Sequence, residues 1–105
     1  MIPLLSQEEF EMFLDKEYTG GPSNIIVYFT ASWCGACSRL DLNYLEQCNN
    51  TVTWYKCDVD QNKYTLGYCG LKNIPSFVFI KDKKFLGKFT SSHTQLVEDM
   101  IKEYF

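Results

Sequence analysis

Apolar residues recur along this chain in two patterns, and segments with one pattern alternate with segments that have the other, which predicts alternating strands and helices. Compact runs of β-branched and aromatic residues are typical of strands, whereas apolar residues three or four positions apart are typical of a helix with one buried face. The first pattern predicts strands over residues 2–5, 25–29, 52–59, 76–80 and 84–89. The second pattern predicts helices over residues 6–18, 34–48, 63–68 and 92–104.

Polar residues mark where these elements begin and turn. Ser6 and Glu9 have the spacing of a capping box, which predicts a helix start. Ser92 and Gln95 have the same spacing and predict the start of the last helix. An Asp-Lys pair at positions 82–83 predicts a tight hairpin turn between the last two strands.

The order of the predicted elements is β-α-β-α-β-α-β-β-α, which places the chain in the α/β class. Strands that alternate with helices pair in parallel through right-handed crossovers, and the last two strands add an antiparallel edge. A central mixed β-sheet flanked by helices on both faces follows, because each helix buries its apolar face against the sheet. The 105 residues match the size of one domain, so residues 1–105 are expected to form a single unit.

Charge and hydropathy argue against several classes of partner. Ten basic and 13 acidic residues give a net charge of −3, whereas a nucleic-acid-binding protein needs a basic face. No stretch reaches the roughly 18 consecutive apolar residues of a membrane span. The first residues lack the basic segment of a secretory signal peptide, so a cytoplasmic protein with reduced thiols is expected.

Five cysteines occur, and only Cys34 and Cys37 form a Cys-x-x-Cys motif, between a predicted buried strand and a predicted helix. Thiols at this spacing lie on one helix face, one turn apart, and can close a small disulfide. The positive end of a helix stabilises a thiolate, so Cys34 should be the nucleophile, with a pKa below about 8.5. Cys37 lies one turn further along an apolar face and should be the resolving thiol.

Three other interpretations of the motif remain open at this point. The first is a zinc site, which would need four ligands, although the other cysteines stand alone and His93 is the only histidine. The second is a purely structural pair, and the third is a docking module that retains the pair. A Cys-x-x-Cys inside a βαβ pattern favours redox chemistry over all three.

The residues around the motif extend the pattern. Trp33-Cys-Gly-Ala-Cys37 is followed by Asp58-Val-Asp60 and by Asn73-Ile-Pro-Ser-Phe77, and together these segments resemble the thioredoxin family. The resemblance covers essentially the whole chain and includes the order of its elements. It implies a thioredoxin fold and a thiol–disulfide oxidoreductase that reduces protein disulfides through a Cys34–Cys37 couple.

The resemblance also implies roles for residues outside the two thiols. By this likeness, substrate would contact Trp33, Gly35, Ala36, Ile74 and Pro75. The Ile74–Pro75 bond would be cis, with the Ile74 backbone left to pair with an extended peptide, as in strand addition. Asp60 would accept a hydrogen bond from the indole N–H of Trp33.

Partners follow from the same likeness. The resemblance implies disulfide-containing client proteins and a thioredoxin-reductase type of electron donor. No cofactor is expected on this chain, since it lacks a glycine-rich nucleotide fingerprint. A monomer is expected, with a weak dimer through the Trp33 face as the alternative.

Four positions depart from the family's pattern, and one of them, Ser91, stands where the family carries a glycine that lets substrate approach. The family usually has proline where this chain has Ala36, so the redox potential should be less reducing than the roughly −270 mV of thioredoxin, toward the roughly −180 mV of disulfide isomerases. Tyr28 replaces the family's buried acid and leaves Lys56 without its partner. Because tyrosine is a poor base at neutral pH, we expect slower resolution by Cys37 and a steeper pH dependence. Leu42 replaces a helix-kinking proline, so the helix should run straighter.

Two alternatives to a disulfide reductase remain. One is an oxidase or isomerase that uses the same motif, and the other is a non-catalytic docking subunit with the thioredoxin fold. Replacing Cys34 with serine should abolish an oxidoreductase and spare a docking subunit. The remaining thiols of Cys48 and Cys57 are expected to be small buried side chains. Cys69, in the loop that leads to Pro75, is expected to be an inert thiol, with regulatory oxidation or dimerisation as the alternative.

Overall fold

The computed structural model describes residues 1–105 and confirms the predicted α/β class. Its five strands are β1 (Ile2–Pro3), β2 (Asn24–Thr30), β3 (Val52–Asp58), β4 (Ser76–Lys81) and β5 (Lys84–Thr90). Its four α-helices are α1 (Gln7–Met12), α2 (Leu42–Gln47), α3 (Thr65–Tyr68) and α4 (Thr94–Tyr104), and a 3-10 helix covers Ala36–Arg39. None of these helices combines the length and the hydropathy that a membrane-spanning segment needs.

The strands form one mixed sheet in the order β1-β3-β2-β4-β5. β3 pairs in parallel with both β1 and β2, whereas β4 runs antiparallel to β2 and β5 antiparallel to β4. The predicted parallel first half and antiparallel edge are therefore both present. The central position of β2 explains its continuous apolar sequence, because a strand with helices on both sides of the sheet buries both of its faces.

Two apolar layers cover the two faces of the sheet. Ile25, Val27 and Phe29 point from β2 into the layer that also contains Phe10 of α1. The alternate residues of β2, including Tyr28, point into the opposite layer, together with Leu45 of α2 and with apolar residues of α4. This alternation follows from the two-residue period of a strand. Helices on both faces of the sheet were predicted and are confirmed.

The start of α1 and the hairpin turn agree with the sequence prediction. The backbone N–H of Glu9 donates to Ser6 Oγ over 3.1 Å, and a Glu9 carboxylate oxygen accepts from the N–H of Leu5 at the same distance. Asp82 and Lys83 both adopt positive φ values, 52° and 68°. Two consecutive left-handed residues define the hairpin turn that matches the twist of the flanking strands.

The prediction of one straight helix over residues 34–48 is wrong. The chain forms the short 3-10 helix first, and Leu40 is then extended, with φ −81° and ψ 137°. Asp41 caps α2, because its carboxylate accepts from the N–H of Tyr44 over 3.1 Å. A carboxylate that satisfies these N–H groups favours a new helix start over continuation. Leu42 therefore begins a helix rather than straightening one.

The capping box predicted at Ser92 is also wrong. His93 is the N-cap of α4 and makes no side-chain capping bond. Ser91 Oγ instead accepts from the N–H of His93 over 3.0 Å, and Thr94 Oγ1 accepts from the N–H of Asp41 over 3.0 Å. The hydroxyls at this end of α4 thus accept hydrogen bonds from the loop that precedes α4 and from the residue that caps α2.

Candidate functional site

Cys34 and Cys37 form a disulfide just beyond the carboxyl end of β2. Their Cα atoms are 5.4 Å apart, within the ordinary range for a disulfide. A turn after Thr30 sets their position, and the N–H of Cys34 donates to the carbonyl of Ala31 over 3.1 Å. Cys37 is buried, with 7% of its surface exposed, whereas Cys34 is half-buried. A client disulfide can therefore reach Cys34 and not Cys37.

The backbone around the motif favours negative charge on Cys34. The N–H of Cys37 donates to Cys34 Sγ over 3.2 Å. Hydrogen bonds and N–H dipoles of this kind stabilise a thiolate more than a thiol. Cys34 precedes the 3-10 helix rather than lying inside an α-helix, but the N–H of Cys37 in the first turn of that helix still points toward its sulfur.

Trp33 lies on the surface beside the disulfide. It is 66% exposed, and its indole Nε1–H donates to Asp60 Oδ2 over 2.8 Å. β2 and β3 are parallel, with Thr30 paired to Asp58, so the residues that follow each strand meet at the same edge of the sheet. This register explains how residues 27 positions apart come into contact.

The third part of the site is the loop before β4. The Ile74–Pro75 peptide bond is cis. Ser76 is paired with Phe29 of β2, so Pro75 lies at the same end of the sheet as the disulfide. Ile74 is half-buried, and neither its N–H nor its C=O forms a hydrogen bond within the chain. An unpaired backbone segment beside a reactive disulfide is suited to bind an extended peptide.

The thioredoxin family model matches residues 2–103. The chain belongs to the thioredoxin family. A thioredoxin from Oryctolagus cuniculus is 30% identical over 100 residues, which cover 93% of this chain and 92% of that protein. The crystal structure of Fasciola hepatica thioredoxin superimposes with a TM-score of 0.84 at 27% identity and covers all of both chains.

A further structural relative comes from work on the thiol-resolving mechanism of a yeast mitochondrial 1-Cys peroxiredoxin through the glutathione and thioredoxin systems. It has a TM-score of 0.84 at 26% identity and covers 98% of this chain and 94% of that chain. Family membership and the Cys34–Cys37 pair together identify a thiol–disulfide oxidoreductase with a redox-active disulfide. The family implies a reductase and disulfide substrates as its partners.

On β2, two residues before the end of the strand, this thioredoxin has a tyrosine packed among apolar side chains. Tyr28 is 2% exposed and stacks on Phe77, with ring centroids 5.3 Å apart. Its hydroxyl donates to Thr30 Oγ1 over 3.2 Å, and burial raises the pKa of the phenol above its ordinary value. Lys56, which is paired with Tyr28 in the sheet, is exposed and forms no ion pair.

The other three cysteines of this thioredoxin are unpaired. Cys57 and Cys69 are buried in the same apolar layer, and burial raises the pKa of each thiol to about 12. Cys48 is half-buried at the end of α2, where its Sγ–H donates to the carbonyl of Tyr44 over 3.4 Å. High pKa values make the two core thiols poor nucleophiles. No three side chains of His, Cys, Asp or Glu come together as a set of metal ligands.

Some neighbours of the site were not predicted from the sequence. Ser38 Oγ donates to the carbonyl of Gly35 over 2.6 Å and so holds the turn between the two cysteines. Lys88 of β5 contacts one end of the loop that carries Ile74 and Pro75, and Thr90 contacts Ser76, whose hydroxyl holds the other end through the carbonyl of Asn73. The serine directly follows the motif and was open to prediction, but the roles of the two β5 residues depend on strand register.

Proposed function

We propose that this thioredoxin acts as a reductant of protein disulfides, with Cys34 as the attacking thiol and Cys37 as the resolving thiol. The Cys34 thiolate attacks one client sulfur, a mixed disulfide forms, and the other client sulfur leaves as a thiolate. The Cys37 thiolate then attacks Cys34 Sγ and releases the second client thiol. Two electrons pass to the client, and the chain is left with the Cys34–Cys37 disulfide.

The difference in burial between the two thiols carries this proposal. A half-buried Cys34 that accepts an N–H hydrogen bond is accessible and stabilised as a thiolate. A buried Cys37 is protected from outside disulfides and can react only with a sulfur already bonded to Cys34. This asymmetry supports a fixed order of attack and resolution.

The client is held by the surface around Cys34. Trp33 supplies an exposed aromatic face, fixed by its bond to Asp60. The backbone of Ile74 offers a donor and an acceptor to an extended client segment. Gly35, Ala36 and Pro75 form the remaining walls, and Gly35 has open space where a side chain would be.

A reductase of the thioredoxin-reductase type must restore the dithiol, with electrons drawn from NADPH or ferredoxin. A peroxiredoxin is one class of client that fits, since a structural relative was studied with such a system. Three unpaired thiols favour a reducing compartment such as the cytoplasm, because such thiols oxidise in secretory compartments. We propose a monomer as the working form.

Serine substitutions at the cysteines test the mechanism. With insulin as the client and thioredoxin reductase and NADPH as the electron source, Cys34→Ser should reduce turnover to background. Cys37→Ser should accumulate a covalent complex with insulin through Cys34, visible as a mass increase that dithiothreitol reverses. Cys48→Ser is the matched control and should keep wild-type activity. Turnover by Cys34→Ser, or an adduct through any other cysteine, would contradict the proposal.

A further inference from the structure

Residues 70–75 link α3 to β4 and carry the backbone that meets the client. The first end of this loop is held by Lys88 of β5, whose Nζ donates to the carbonyl of Gly70 over 2.9 Å and to the carbonyl of Cys69 over 3.4 Å. These carbonyls lie at the end of α3, where the helix offers them no partner. A cation at this position also complements the negative end of the helix.

Gly70 is adapted to this contact. Its φ is +74°, a conformation that side chains rarely adopt, and a Cβ atom there would lie 2.6 Å from Lys88 Nζ. The next residue, Leu71, donates its N–H to the carbonyl of Leu66 over 3.0 Å and packs in the apolar layer. The loop therefore leaves α3 in one direction, fixed by the left-handed glycine and the lysine together.

The second end of the loop is held by Thr90, through Ser76. Ser76 Oγ donates to the carbonyl of Asn73, the residue before Ile74. Thr90 Oγ1 lies 2.7 Å from Ser76 Oγ. Because the only hydroxyl hydrogen of Ser76 is already donated, Thr90 must be the donor in this pair. The hydroxyl of Thr90 thus orients Ser76, and Ser76 in turn holds the carbonyl of Asn73 near the end of the loop.

Strand register brings both contacts to one face of β5. Lys88 is paired with Val78 of β4 and Thr90 with Ser76, so Lys88 and Thr90 are two residues apart and point to the same side. That side is the one on which α3 packs, since Val78 belongs to the same apolar layer as Cys69. One edge strand therefore holds both ends of the client-binding loop.

We propose that Lys88 and Thr90 are positioning residues that set the place of the Ile74 backbone and so determine affinity for protein clients. This inference rests on the proposed function, because it assumes that Ile74 pairs with the client. A small disulfide needs only Cys34 Sγ, whereas an extended peptide also needs a correctly placed donor and acceptor at Ile74. Loosening the loop should therefore weaken reduction of proteins and spare reduction of small disulfides.

Lys88→Met and Thr90→Val test this inference, because each removes hydrogen bonds and keeps much of the side chain's shape. Loss of one ordinary hydrogen bond corresponds to about a fivefold change, so each variant should raise KM for insulin about fivefold with kcat nearly unchanged. Turnover of an aromatic small-molecule disulfide and the redox potential of Cys34–Cys37 should match wild type. Lys88→Arg should restore most of the affinity for insulin.

Lys84→Met is the matched control, because Lys84 is an exposed lysine of the same strand whose side chain makes no hydrogen bond or ion pair. A KM for insulin in Lys88→Met equal to that of the control would overturn the inference. Equal losses on insulin and on the small disulfide would also overturn it, because they would indicate general destabilisation.

Amide hydrogen exchange separates this inference from the proposed function. The Leu71 amide is hydrogen-bonded at the start of the loop and should exchange faster in Lys88→Met than in Lys84→Met. If wild-type protein fails to reduce insulin, the proposed function fails, while the exchange rates still report whether Lys88 holds the loop. Unchanged exchange at Leu71 would refute the structural part of the inference.

Discussion

Tyr28 is the residue that sets this site apart from a thioredoxin with a buried acid. Burial raises the pKa of its phenol, so the side chain stays neutral at physiological pH and cannot accept the proton of Cys37. Resolution then depends on the thiolate fraction of Cys37 alone, and its rate should rise about tenfold per pH unit below the pKa of that thiol. Tyr28→Asp should raise the rate at pH 7 and flatten this profile, as rapid-quench measurement of mixed-disulfide decay would report.

The control for this prediction is Tyr28→Phe, which keeps the ring stacked on Phe77 and loses only the bond to Thr30. It should retain the wild-type pH profile and cost about 1 kcal/mol of stability, the usual net value of one hydrogen bond. Tyr28→Asp should lower the free energy of unfolding by about 3–5 kcal/mol, as other large-to-small changes in a core do. Tyr28→Glu is therefore a second acid variant, whose longer side chain fills more of the space left by the ring. Acid variants with the same profile as Tyr28→Phe would refute the role of the missing base.

At the residue scale, the reactive residues of the site were easier to predict from the sequence than the residues that hold the site in place. Cys34 and Cys37 are neighbours in sequence, and their spacing alone predicted a disulfide. The contact between Trp33 and Asp60 was implied by the family resemblance, because nothing local links residues 27 positions apart. Lys88 carried no such signal. Its importance arises only when β5 pairs with β4 and places its ammonium at the end of α3.

Among the elements, the break between the 3-10 helix and α2 is the one that the apolar pattern of the sequence conceals most completely. Apolar residues at positions 37, 40, 44, 45 and 48 keep helical spacing across the break, so periodicity could not reveal it. The missed signal was Asp41, a good N-cap residue inside an apparently continuous helix. The strands were better predicted, because a buried run with turn residues at both ends leaves little choice of boundary.

Asp41→Ala tests whether the cap defines α2. Loss of the bond from Asp41 to the N–H of Tyr44 should lower the free energy of unfolding by about 1 kcal/mol. The redox potential should not change, because Cys37 belongs to the separate 3-10 helix. Chemical denaturation and a glutathione titration provide the two measurements, with Asn43→Ala in the first turn of α2 as the control. A shift of potential in parallel with stability would show that the two helices act as one.

A hydrogen-bonded bridge joins α2 to α4. The buried carboxylate of Glu98 accepts from the Tyr44 hydroxyl over 2.6 Å and lies 2.8 Å from Lys102 Nζ. The bonds from Lys102 and Tyr44 lower the pKa of Glu98, and the bond to Glu98 raises the pKa of Tyr44 to about 12. A lowered acid pKa contributes stability above about pH 4.3 that is lost on acidification, and a raised phenol pKa contributes stability below about pH 10 that is lost in base.

Tyr44→Phe should therefore lower the melting temperature most between these two limits. The difference from wild type should shrink by about pH 3, where the carboxyl of Glu98 is protonated and makes weaker bonds. Thermal unfolding at pH 3 and pH 7 measures this difference. Tyr64→Phe is the control, because Tyr64 is 75% exposed and its hydroxyl has no partner. A difference that is the same at both pH values would indicate that Tyr44 acts through packing and not through the carboxylate.

For the whole molecule, the sheet order follows from rules that act across the chain. Right-handed crossovers and burial of both faces of β2 place it at the centre, and this arrangement brings the ends of β2, β3 and the loop before β4 together. The location of the site at that edge was thus predictable once the element order was known. The contacts made there by Lys88 and Thr90 of the edge strand β5 were not, because they depend on the register in which β5 pairs with β4.

Ala36 links the site to the stability of the whole fold. The redox potential of the folded protein and the stability gap, which is the difference in free energy of unfolding between the oxidised and the reduced protein, belong to one thermodynamic cycle. A potential above that of thioredoxin therefore means that folding stabilises the oxidised form by less, relative to the reduced form. Ala36→Pro should make the potential more negative, and each 30 mV should widen that gap by about 1.4 kcal/mol. Glutathione titration gives the potential, and denaturation of the oxidised and reduced proteins gives the gap. A wild-type potential at or below about −270 mV would refute the premise that Ala36 makes this protein less reducing than thioredoxin. A change in the potential without a matching change in the stability gap would show that Ala36 acts on the unfolded chain.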